Sequence, residues 1–96
     1  MAGSPLGAAM RDSRGRRVVR LGDPTDHGGE VLTALQSIVL GKPVTGEGCV
    51  ARCPRCGGVF RIVPTHTERS DHGKVVAFEG DLTECGARLI STLPAR

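Results

Sequence analysis

His27, Cys53, Cys56 and Cys85 are the residues of this sequence whose types and spacing could hold a transition metal. Cys53-Pro54-Arg55-Cys56 is a C-x-x-C knuckle that lets two thiolates face one ion, and Gly57-Gly58 behind it permits the tight backbone turn. His27 and Cys85 complete a Cys₃His set. Such a shell suits tetrahedral zinc, with thiolates at about 2.3 Å and the imidazole at about 2.0–2.1 Å. Four protein ligands leave no position for water, so the expected ion is structural and single. Disulfides are the alternative, weighed against the rarity of disulfides in a cytosol. Cys49 and Cys53, spaced C-x-x-x-C, offer a competing ligand pair.

Those four residues come together only if the chain repeats itself. Residues 41–53, GKPVTGEGCVARC, and residues 73–85, GKVVAFEGDLTEC, align without gaps, and residues 15–27 give a third copy. Each copy reads Gly, a cation, any residue, Val, three residues, Gly, four residues, then His or Cys. The copies end on His27, Cys53 and Cys85. The Gly-cation pair fits a hairpin turn, since Gly supplies φ > 0. Three quasi-equivalent copies about one axis would deliver their terminal residues to one point, and Cys56 would add the fourth ligand. Chance turn chemistry would not place a metal-binding type at the end of every copy. By the same alignment Cys49 sits with Asp23 and Asp81, four positions before the ligand, where Gly-Asp reads as turn chemistry and not as a hydrolytic carboxylate pair. His72 falls on a hairpin turn, and His66 has no counterpart, which suggests a surface position.

The whole chain allows little else. Ninety-six residues make one small domain, with 2% aromatics and 14 Gly. A core this thin needs a staple. The net charge of +3 gathers at Arg11, Arg14, Arg16, Arg17 and Arg20, an early basic cluster read as solvated because no aromatic platform accompanies it. No apolar stretch reaches the length of a membrane span, and the N-terminus lacks the order of a Sec signal peptide, so folding in a cytosol is expected. Short β-branched runs between frequent glycines predict an all-β fold of hairpins. Residues 31–40 carry a helical period, but the repeat favours two strands joined near residues 35–37. The expected organisation is a flexible arm over 1–13 and a domain over 14–96. No P-loop, paired helical His or nucleophile elbow is present, and no enzyme is expected.

GDPTDHGG, GKPV…CPRCGG, GKVVAFEGD and LTECGARLIS resemble the PAAR-repeat family, the spike-tip proteins of bacterial type VI secretion, over residues 15–92. The resemblance implies a small cone of short β-hairpins with pseudo-threefold symmetry, a zinc near its vertex, and a base that caps the trimeric β-helix of a VgrG spike. It implies a bacterial cytoplasmic protein that is then secreted or injected through a target envelope, touching the membrane transiently, one chain per trimer, with effectors attached to the cone or docked on it and no nucleic acid expected. This sequence departs from the pattern in using three Cys and in placing Cys49 where the second Gly-Asp pair would have Asp. Few residues follow Cys85, so cargo is expected to be non-covalent or carried by the spike partner. The rival functions are a nucleic-acid-binding zinc ribbon, for which CPRCGG and the arginines speak but a second knuckle is missing, and a small metal-dependent hydrolase, which needs an open metal position.

Overall fold

The computed structural model describes residues 11–67 and 69–93. Residues 1–10, most of the expected arm, lie outside the described residues. Seven short strands are present: β1 (Ile38–Val39), β2 (Lys42–Pro43), β3 (Val50–Cys53), β4 (Gly58–Val63), β5 (Ser70–Asp71), β6 (Lys74–Val75) and β7 (Leu82–Thr83). All pairings are antiparallel: β1 with β2, β5 with β6, and a sheet of order β3-β4-β7. Among the described residues there is no helix. The two Gly-cation turns behave as expected. Leu40-Gly41 and His72-Gly73 all have positive φ, between 49° and 88°, the geometry of the two-residue turn whose twist matches its flanking strands.

The repeat becomes a closed ring. The Thr45 amide donates to the Val19 carbonyl, Ala77 to Thr45, and Val19 to Ala77, at 2.9, 2.9 and 3.1 Å. These are the same position of the three copies, so the chain of bonds returns to its start. Bridges Arg20 to Val44, Gly46 to Val76 and Phe78 to Val18 repeat the pattern one register on. Nearer the ligand ends a second cycle pairs Val31 with Ala51, Ile62 with Thr83, and Leu89 with Thr25. One protein thus presents three like faces about one axis.

The core follows the same symmetry. Val18, Val44 and Val76, equivalent in the three copies, pack with Val39, Phe78 and Leu93. A second cluster gathers Val31, Ile62 and Leu89, again equivalent, with Val19, Ala77 and Cys49. Small β-branched residues suffice because three copies of one backbone unit converge on the axis and leave little volume to fill. The helical period over 31–40 is overridden. Val31 is spent on a bridge to Ala51, Leu35 packs against both clusters, and only Ile38–Val39 of the two expected strands is regular.

The arginine cluster corrects the solvated-tail expectation. Arg16 is paired with Asp12 and Asp81 at 2.6 and 2.8 Å, and Arg17 with Glu79 at 2.8 Å and with the Leu93 carbonyl. Arg20 is buried and donates to the carbonyls of Val39 and Leu40 and to the Thr92 hydroxyl. Arg11 bridges Arg17, and Asp12 is buried. Arg16 and Arg17 thus cross the seam between the first and third copies, and Arg20 also reaches the second hairpin. His66 is likewise half-buried, with Nδ1 3.2 Å from the Arg16 guanidinium.

Asp71 clamps the third hairpin to the linker before β1. Its carboxylate accepts the amides of Gln36 and Ser37 and the Ser37 hydroxyl, at 2.7–2.8 Å, and meets His72 Nδ1 at 2.6 Å. Burial pushes the carboxyl up, but the Ser37, Gln36 and His72 hydrogen bonds outweigh it and hold it at about 2, below its ordinary 3.8. A depressed carboxyl stabilises the fold above its unfolded value and loses that contribution as pH falls towards the folded one. Asp71→Asn is expected to cost on the order of 2 kcal/mol at neutral pH. The gap to wild type should close between about pH 4 and 2, as read by urea melts at each pH. A gap independent of pH would refute the clamp.

Candidate metal centre

Copies one and three end alike. In each, a threonine two residues before the ligand closes the loop. Thr25 Oγ1 accepts the amides of His27 and Gly29 at 3.3 and 3.2 Å, and Thr83 Oγ1 accepts that of Ala87 at 3.2 Å. The loop then returns at once to the core through Val31 or Leu89. The middle copy takes longer. β3 and β4 continue their pairing through Arg52–Val59 to Cys53–Gly58 before the chain comes back to Ile62. The extra hairpin length carries the Pro54-Arg55-Cys56 knuckle, closed by the Gly57 amide on the Cys53 carbonyl at 2.9 Å. That length is why one copy supplies two sulfurs.

The four residues meet. One ligand atom from each of His27, Cys53, Cys56 and Cys85 lies within 4.8 Å of every other. His27 Nδ1 is 3.3 Å from Cys53 Sγ and 4.0 Å from Cys85 Sγ. Cys53 is 2% exposed, His27 and Cys85 are half-buried, and Cys56 is exposed. The cluster is close enough to bind one metal ion, and its sulfur-rich donor set with one imidazole fits zinc.

The electrostatics suit a cation. Burial acts to raise the Cys85 thiol, but hydrogen bonds from Thr83, the Ala87 amide and the Cys53 and Cys56 thiols bring it down to about 6. Cys56 is pushed the other way, to about 11, first by its hydrogen bond to Cys53 and then by burial and by Cys85. Within the cluster the charged form is favoured at Cys85 and the protonated form at Cys56.

A family model for the PAAR motif matches residues 21–91. The chain belongs to the PAAR-motif family. Comparison with curated proteins and with solved structures gives no match. All four cluster residues lie inside the matched PAAR span. The first turn, at Gly15, lies before it, although the backbone ring shows that the first copy begins there.

Cys49 stands apart from the cluster and is buried with Val31, Ile62 and Leu89. Its PAAR counterparts work as turn residues. Asp23 accepts the Arg20 amide at 2.8 Å and the Thr92 hydroxyl at 2.6 Å, and Asp81 accepts the Phe78 amide at 2.9 Å and the Thr65 hydroxyl at 2.5 Å. The position equivalent to Thr65 and Thr92 in the remaining seam is Ala34. Cysteine and alanine have thus replaced a carboxylate and its hydroxyl together, a covariation that aligning 34, 65 and 92 would have exposed in the sequence. Cys49→Asp is expected to destabilise by about 1–3 kcal/mol, because a buried carboxylate lacks its hydroxyl partner. Adding Ala34→Thr should recover at least half of that in a denaturant-melt mutant cycle. Simple additivity of the two changes would contradict the equivalence. His72 is on the exposed turn, with its side chain 65% exposed, and is not in the cluster.

Proposed function

We propose that this PAAR protein is the non-enzymatic tip of a type VI secretion spike. It caps the trimeric β-helix of a VgrG protein, sharpens it for passage through a target envelope, and carries effectors. His27, Cys53, Cys56 and Cys85 hold one structural zinc at the narrow end. The observation that carries this reading is the closed ring of three equivalent backbone bonds at Val19, Thr45 and Ala77. A single chain with that ring can seat on a threefold partner with each copy facing one subunit. The four-donor set supports a structural role, since tetrahedral zinc so held keeps no open position. The protein resides in the bacterial cytoplasm until it is fired.

Arg16, Arg17 and Arg20, which could have served nucleic acid, are occupied by Asp12, Asp81, Glu79 and backbone carbonyls, which weakens the arginine support for a zinc-ribbon function. The test is to mix the zinc-loaded chain with a trimeric VgrG β-helix encoded in the same genome and measure mass by light scattering. One chain per trimer is the expected result. No complex at micromolar concentration with any such trimer would overturn the proposal.

A further inference from the structure

The four donors are not equally held. His27, Cys53 and Cys85 are the terminal residues of the three copies, and each is fixed by its own copy. Cys53 ends β3, is 2% exposed, and its carbonyl accepts the Gly57 amide. The His27 amide donates to Thr25 Oγ1, and Cys85 Sγ lies 3.1 Å from Thr83 Oγ1. Cys56 has no counterpart in the other copies. It sits on the exposed knuckle, and its amide donates only to a sulfur, Cys53 Sγ at 3.4 Å. Pro54, two residues before it, rests near Gly28 and Gly29, where a glycine Cβ would come within 3.8 and 3.2 Å of the proline ring.

This rests on the zinc site proposed above. We propose that Cys56 is the single exchangeable ligand. His27, Cys53 and Cys85 form a three-donor frame that retains the ion without it, and metal loading, metal loss and attack by outside thiol reagents all pass through the Cys56 position. Three protein donors plus one exchangeable position is the arrangement of open zinc sites. Displacing Cys56 would therefore convert a closed structural centre into one that accepts an external thiol or imidazole. The three-copy frame sets geometry, and the knuckle acts as a removable cover at the exposed end.

The test begins with the zinc-loaded wild type, whose metal content is measured, and a limiting amount of iodoacetamide, with the alkylated cysteine located by peptide mass spectrometry. Cys56 is expected to carry the first label. Next, cobalt is loaded into Cys56→Ala and Cys85→Ala. The Cys56 variant should retain one ion per chain and change its visible spectrum on addition of imidazole. Its loss of metal to a chelator should quicken by at least the roughly ten- to hundredfold that removal of a supporting partner costs a metal site. The Cys85 variant should not retain the ion. A wild type that takes up no metal sinks the zinc site together with this proposal. A loaded wild type that labels first at Cys53 or Cys85, or a Cys56 variant that loses metal as completely as the Cys85 variant, sinks only the exchangeable ligand.

Discussion

Gly29→Ala is expected to prevent the metal-loaded fold from forming. A Cβ at Gly29 would lie 1.6 Å from the Arg52 carbonyl oxygen and 2.7 Å from its carbon, backbone atoms of the next copy that cannot rotate away. The contact lies where the Arg52 amide donates to the Glu30 carbonyl at 2.8 Å and the Arg52 guanidinium pairs with Glu30 at 2.8 Å. Opening this seam would also pull His27 from Cys53. The expected cost exceeds the ~3 kcal/mol at the upper end of ordinary overpacking, a large share of what a domain this small can hold. Ala87 occupies the equivalent place in the third copy and is buried there, where its neighbour is the short loop of the first copy and not the long middle hairpin. The demand for glycine therefore belongs to the long hairpin. Gly58→Ala is the control: its Cβ would come no nearer than 3.4 Å to the Phe60 ring, and its melting should fall close to wild type. Thermal melts of the zinc-loaded proteins read both. A Gly29 variant that melts with wild type would show that the seam is not closed as described.

Removing the metal is expected to unfold the chain, which is the second large effect. Structural zinc contributes on the order of 10 kcal/mol of apparent binding free energy at neutral pH. The two apolar clusters consist mainly of valines and small residues, with one Phe between them, and cannot offset the ordering entropy of so glycine-rich a backbone. Without an ion the three thiols and the imidazole still lie within 4.8 Å of one another, but no bond ties the ends of the three copies together. A strong chelator with a reductant should collapse the amide proton dispersion in a nitrogen-proton correlation spectrum, and added zinc should restore it. Cys85→Ala should give the collapsed spectrum with no chelator present. A reduced, metal-free chain that keeps its dispersed spectrum would refute the staple.

Much of this was legible in the sequence because the repeat is local and its markers are chemically narrow. The Gly-cation pairs predicted the turns at Gly41 and Gly73, since only a glycine-tolerant turn closes a two-residue hairpin. The shared terminal position predicted that His27, Cys53 and Cys85 meet, and the knuckle added Cys56. What escaped depends on contacts distant in the chain. Arg16, Arg17 and Arg20 looked like a solvated cluster because their partners, Asp81, Glu79 and Thr92, lie more than sixty residues away. The linker 31–40 looked helical because its apolar residues serve two clusters in succession and not one helix face. The covariation of Cys49 with Ala34 was visible in principle, but only once the repeat was extended past its ligand into the returning strand.

The claim on which the rest depends is that three copies of one backbone unit bring their ends to a single ion. X-ray absorption at the zinc edge on the purified, zinc-loaded chain tests it most directly. The account predicts one zinc per chain with three sulfurs at about 2.3 Å and one nitrogen at about 2.0–2.1 Å. A shell dominated by oxygen or nitrogen, or one with two sulfurs or fewer, would contradict it.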